Sequence, residues 1–221
     1  MSASVKGGRP YRSPKRQAQA AATRRGIEDA AHALFLERGY AGASLADVAK
    51  VADVSLPTVK LVFRTKASLL RAVWDRAVKG GDDPRPVADQ PWFQDLLASP
   101  DPGDHLELQA MASARVKARI AALAEVIRAA APSDPEIAAL WSGMQAEFYA
   151  NQRATIRALR RKTPLRNGVG ERQATDILWT LNSTAVYQLL VGDRGWTSER
   201  YQRWLAATLR EQLLPPEDAE S

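Results

Sequence analysis

Residues Ser44 to Lys66 read SLADVAKVADVSLPTVKLVFRTK, and the spacing in this stretch predicts two short helices joined by a very tight turn. Ser44 opens the first, with a hydroxyl that can accept from a free backbone N–H one turn on and with Asp47 three residues later as the other half of a capping box. Leu45, Val48, Ala49 and Ala52 follow at helical spacing and give one buried face. The turn falls on Ala52-Asp53-Val54, where a residue at positive φ is wanted; Asp53 is tolerable there because short polar side chains visit that region more readily than others. Ser55 caps the second helix, Pro57 is harmless in its first turn, and Val59, Val62 and Phe63 are apolar while Thr58, Lys60 and Arg64 point outward. Thr65 and Lys66 then begin a third helix, KASLLRAVWDRAVK, in which Leu69, Leu70, Val73, Trp74 and Ala77 share a face. The arrangement is a helix-turn-helix.

Charge supports an outward-facing role for this unit. Residues 1–80 carry fifteen Lys plus Arg against six Asp plus Glu, a balance of +9, whereas residues 81–221 carry sixteen against nineteen, a balance of −3. A basic module on a mildly acidic body is the electrostatic footprint of nucleic-acid binding.

The run from Ile27 to Leu70 resembles the DNA-binding headpiece of the TetR family of bacterial transcriptional regulators. Ile27, Ala30, Ala31 and Phe35 of the preceding helix carry the resemblance, with Gly39-Tyr40 at its end, Ser44-Leu45, Asp47-Val48-Ala49, Val54-Ser55, Thr58-Val59, Phe63, Lys66 and Leu69-Leu70. Two positions depart from the family pattern. Asp53 stands where a glycine is usual, and Lys60 replaces a tyrosine that touches a backbone phosphate. The resemblance covers residues 25 to 75 and extends to QPWFQDLLASPDP and LLVGDRGWTSERYQRWLAATL, which look like the linker and the end of one subgroup of the family.

From Met1 to about Arg16, five basic residues lie among glycine, proline and serine without an acid or a helical period, so residues 1–16 read as a flexible basic arm. The headpiece then spans 17–80, its first helix running from about Gln17 to Arg38 with Gly39 as the stop. The segment GGDDPRPVADQPWF after Lys79 cannot continue a helix and marks a boundary, with a short helix over Trp92 to Leu97. Residues 81–221 show no strand-like alternation. Helical patterns at about Asp104–Ala131, Ser133 or Asp134–Arg161, Glu171–Leu190 and Ser198–Leu214 predict an antiparallel helical bundle, making the whole chain all-α.

The last two patterns carry more apolar surface than one face needs. Trp179, Val186, Tyr187 and Leu190 form a second stripe beside Ala174, Ile177, Leu178, Leu181 and Ala185, and Tyr201, Trp204, Leu205, Leu209 and Leu213 follow in the final helix. A helix apolar on two sides must be covered twice. Either both helices are central in the monomer core, or the pair meets its copy in a second subunit; the resemblance implies the latter, a homodimer joined through its last two helices.

For DNA, Lys66 and Ser44 at helix N-termini, with Lys60 and Arg64, are placed to meet phosphates. Base edges fall to the start of the recognition helix, principally Leu56, Pro57 and Thr58, with Lys60 also within reach of guanine acceptors, and the capping Ser55 is counted among the DNA-binding residues. The resemblance further implies an inverted-repeat operator in double-stranded DNA and an unidentified small-molecule effector inside the bundle. Its candidate contacts are Met111, Trp141, Met144, Phe148, Trp179 and Tyr187, with Arg115, Gln145 and Asn182 as polar anchors.

Other chemistry is poorly supported. With no cysteine, disulfides and sulfur-ligated zinc are excluded, and no metal or cofactor is expected. There is no Gly-rich phosphate loop, HExxH or GxSxG, and the two histidines, His32 and His105, lie far apart; His105 reads as an exposed helix start. An enzyme is therefore not expected, while a sequence-indifferent nucleic-acid binder using only the arm stays open. No run approaches the roughly 18 apolar residues of a membrane span, and the N-terminus lacks a signal-peptide core. A cytoplasmic, nucleoid-associated protein fits.

Overall fold

The computed structural model describes residues 14–216. Of the expected arm, residues 1–13, including Lys6, Arg9 and Arg12, lie outside the described residues. Lys15 and Arg16 belong instead to α1 (Pro14–Gly42), which starts about three residues before the expected Gln17. Proline suits a first turn, because its missing N–H would have no helical partner there. Within α1 the backbone leaves the helix at Gly39, φ 70° and ψ 175°, the stop the sequence placed there.

Next come α2 (Leu45–Val51), α3 (Leu56–Val62) and α4 (Lys66–Lys79). Ser44 and Asp47 form the expected capping box, and Thr65 with Ser68 forms a second one at α4. Asp53 takes φ 53° in the turn, the one non-glycine residue at positive φ among the described residues. Ile27, Ala31, Phe35, Val59, Leu69 and Leu70 are all completely buried and form the hub of these four helices.

The body contains α5 (Pro91–Ala98), α6 (Pro102–Ala130), α7 (Pro135–Arg160), α8 (Glu171–Leu181), α9 (Thr184–Tyr187) and α10 (Ser198–Leu213). No strand occurs among the described residues, and none of the described helices is long and apolar enough to cross a membrane. The long α6 is the common strut. Leu123 and Ile127 on its C-terminal half join the headpiece hub together with Ile137 and Met144 of α7, whereas Leu106, Ala110 and Ala114 on its N-terminal half pack with α10. One apolar cluster thus crosses the boundary near residue 80. Arg119 of α6 reinforces that junction by donating to the carbonyl oxygens of Ala77 and Val78 at 2.7 and 2.9 Å, which closes the C-terminal end of α4. Gly80 ends α4 at φ 76°, and a Cβ there would meet the Arg119 guanidinium at 3.1 Å.

Two expectations about the end of the chain need correction. The pattern Glu171–Leu190 is not one helix: Ser183 is extended, and its side chain accepts from the Val186 N–H, so a new helix starts there. Gln188–Asp193 follows as a wide π turn. A serine that can cap competes with helix continuation. In addition, Tyr201, Leu205, Leu209 and Leu213 are completely buried and Tyr187 is nearly so, which removes them from any subunit interface. Because α6 faces them with Ala110 and Ala114, the large side chains of α10 must fill the monomer core themselves. Tyr187 stands edge-on to Tyr201, with ring centroids 4.9 Å apart.

Candidate nucleic-acid interface and ligand cavity

The recognition helix α3 is held from beneath and open above. Val59 is completely buried and Phe63 nearly so, anchoring it to the hub, while Ser55, Pro57, Lys60, Leu61 and Arg64 are exposed. Leu56 and Thr58 are half-buried. The Ser55 hydroxyl accepts from the Thr58 N–H at 3.2 Å, and the two hydroxyls lie 2.8 Å apart, so Thr58 presents a partly engaged oxygen. Ser44 is likewise exposed and engaged, its Oγ 2.5 Å from Asp47 Oδ2. The same pairing, with the Ser44 N–H, holds the Asp47 carboxyl below its usual pKa.

Lys66 does not behave as the sequence suggested. Its ammonium turns inward, donating to the carbonyl oxygens of Tyr40 at 2.7 Å and Ala43 at 3.0 Å, and sits 4.1 Å from the centre of the Tyr40 ring. It ties the α1–α2 connection to α4, and burial pulls its pKa down. A helix-terminal lysine is a phosphate partner only if no closer acceptor claims it; here two carbonyls left over at the end of α1 do.

Leu61, 85 % exposed, is the residue the sequence reading passed over. It lies on the face through Pro57, Lys60 and Arg64, at helical spacing, and that signal could have found it. An apolar side chain so exposed on a small helix has no folding role and suits contact with a thymine methyl.

Behind the headpiece lies a cavity of about 870 Å³. Its wall draws on α4 (Arg71, Trp74, Asp75), the segment before α5, α6, α7 and α8. Of the candidate ligand contacts, Trp141, Met144, Gln145, Phe148, Trp179 and Asn182 line it; Met111, Arg115 and Tyr187 do not. Tyr187 is turned into the α10 core, and Arg115 is exposed. The sequence reading missed Lys117, Gln109, Trp74 and Trp92. A lysine within an apolar helical pattern is normally solvated, so Lys117 gives no pocket signal in the sequence. Trp74 meets Trp141 edge-on, centroids 6.3 Å apart, so α4 and α7 share an aromatic contact beside the cavity.

His105 corrects another expectation. It is completely buried, with Nδ1 2.7 Å from Lys162 Nζ, and burial together with that lysine pushes its pKa down to about 4. Burial and the neighbouring lysine both favour the neutral imidazole. No group of metal-ligating side chains occurs among the described residues.

Residues 27–73 match the family model of the bacterial regulatory proteins of the TetR family. No curated protein matches the chain in sequence. Among solved structures, the SmeT–triclosan complex superposes with a TM-score of 0.68 at 18% identity, covering 89% of this chain and 93% of its own. A regulator from Saccharomonospora viridis in complex with choline gives 0.65 at 20%, covering 87% and 98%. A TetR-family regulator from Syntrophomonas wolfei gives 0.68 at 16%, covering 86% and 94%. At such identities the likeness establishes a common fold over headpiece and body together. With the helix-turn-helix matched in sequence over residues 27–73 and the architecture matched in space, the chain carries the DNA-binding domain of the TetR family of bacterial regulatory proteins on an all-α body of the same fold, and is a DNA-binding transcriptional regulator.

Proposed function

We propose that the chain is a ligand-responsive repressor of the cytoplasm that binds an inverted-repeat operator in double-stranded DNA as a homodimer. The observation that carries this reading is the double membership of α4. Its Leu69, Leu70 and Val73 belong to the headpiece hub, and its Arg71, Trp74 and Asp75 belong to the cavity wall. A ligand that favours one placement of α4 therefore favours one placement of α3, and in a two-fold dimer that sets the distance between two recognition helices. The choline and triclosan complexes of similarly folded regulators support a body that takes small molecules.

For the dimer, the support is what the core leaves over. Val186, Leu190 and Trp204 remain half-buried and Leu189 is 58 % exposed, all on the π turn, its flank and α10. Val186, Leu190 and Trp204, with Trp179 turned to the cavity, are what remain of the expected interface, and Leu189 adds to them. Of the phosphate contacts, Lys60 and Arg64 stay available and Ser44 and Ser55 lie at helix starts, with Leu56, Pro57, Thr58 and Leu61 toward the bases.

Selection of bound sequences from random duplexes tests the reading. An inverted repeat is expected; equal affinity for selected and random duplexes returns the protein to sequence-indifferent binding. Replacing Lys60 by alanine should weaken binding about tenfold on every duplex and lower its salt dependence. A loss confined to one base position would move Lys60 from phosphate to base. Sedimentation should give a dimer at micromolar concentration, and a reporter downstream of the selected sequence should be silenced by the protein.

A further inference from the structure

The cavity wall contains a buried cation for which no carboxylate partner occurs among the described residues. Lys117 of α6 is 3 % exposed, and its ammonium lies 4.7 Å from the centre of the Phe148 ring. No carboxylate among the described residues pairs with it. The acids in the same wall are already taken: Asp75 and Glu147 hold Arg71 at 2.8 Å each, and Glu125 holds Arg128 at 2.6 Å. One and two turns before Lys117 on α6, Ser113 and Gln109 are satisfied, bonded to each other at 3.0 Å and, through Gln109, to Thr155 at 3.2 Å.

Other unpaired atoms lie in the same wall. Asn182 is 2 % exposed and its Oδ1 has no partner; the Trp179 Nε1–H has none either. A buried ammonium facing an aromatic ring costs several kcal/mol of desolvation that the ring recovers only in part. Burial alone brings its pKa down to about 7. Such a group is retained where an anion arrives to complete it.

We propose that the effector is a hydrophobic carboxylic acid, its carboxylate paired with Lys117 Nζ and its apolar body among Trp74, Trp141, Met144 and Phe148. This rests on the cavity being the effector site and adds the chemical class. A quaternary ammonium is disfavoured, since it would have to share the cavity with a like charge at Lys117.

Calorimetric titration of the full-length protein at pH 6.5 tests it with 4-phenylbutyrate, 2-naphthoate and decanoate, each against its primary alcohol and its trimethylammonium counterpart. At least one acid should bind about tenfold or more tighter than its alcohol, with its ammonium counterpart weakest. In Lys117→Met, which keeps the volume and removes the charge, the alcohol should still bind and the preference for acid should vanish; Lys117→Gln serves if the first variant does not fold. Alcohol binding equal to acid in the unaltered protein, or acid preference surviving in the variant, overturns the acid assignment and leaves the cavity reading intact. Failure of every compound to bind counts against the cavity as the effector site and takes the acid assignment with it.

Discussion

Two lysines divide this molecule, one half-buried and one buried. Lys66 in the headpiece and Lys117 in the body each set an ammonium against an aromatic ring, at 4.1 Å from Tyr40 and 4.7 Å from Phe148. Lys66 also has two carbonyl oxygens, whereas Lys117 has no carboxylate partner among the described residues. In the headpiece the Lys66 ammonium closes on carbonyl oxygens of the same unit, and the exposed face of α3 is left to meet something else. In the body the unfinished groups point inward. A satisfied lysine fixes a shape; an unsatisfied one awaits a ligand.

The sharpest way to break this comparison is to remove both ammonium groups. Lys66→Met should destabilise the fold by about 3 kcal/mol, because two carbonyls lose charge-assisted partners inside the structure, and chemical denaturation measures it. If that variant is as stable as the parent, Lys66 does not hold the α1–α2 connection to α4. Lys117→Met should do the reverse, gaining about 1–2 kcal/mol at neutral pH by deleting a buried charge.

The pH dependence separates the two further. The folded-state pKa of Lys117 is near 7, below that of an unfolded lysine, so the unfolded chain binds the extra proton as pH rises between them. Stability contributed through this group should therefore increase from about pH 7 towards pH 10, and Lys117→Met should flatten that rise. Melting curves across that range show it directly. An identical pH profile in parent and variant would mean that Lys117 is solvated.

Smaller effects test how the headpiece is closed. Ser55→Ala removes the cap of α3 and should cost about 1 kcal/mol, with a matching loss of DNA affinity if α3 frays at its first turn. Asp53→Gly should add about 0.5 kcal/mol by relieving a non-glycine residue at φ 53°. Thermal denaturation resolves both.

Much of the headpiece was legible in the sequence because its signals are local. A serine three residues before an aspartate makes a capping box whatever surrounds it, and the box at Ser44–Asp47 is there. The same holds for Gly39 as a stop, for the positive φ at Asp53 and for the inward set Val48, Ala49, Val59 and Phe63. The body was less transparent. Periodicity gave α6, α7 and α10 to within a few residues, yet one continuous helix was expected where Ser183 starts a new one. Spacing cannot tell a stripe that fills the monomer core from one that meets a second subunit, and Tyr201, Leu205, Leu209 and Leu213 proved to be core. Six of nine cavity candidates line the space, but Lys117 was missed, since nothing about a lysine in a helical pattern says which way it faces once other helices close over it.

What the sequence by itself determined was the order of helices, the turn-and-cap chemistry of the recognition unit and the family that these imply. These depend on contacts within a few residues, where backbone hydrogen bonding decides. Only the tertiary structure decided where the two lysines go, which apolar faces are spent inside the monomer, and that α4 belongs to headpiece and cavity at once. Those outcomes depend on which distant helices reach a given face first, and long-range packing leaves no trace in local spacing.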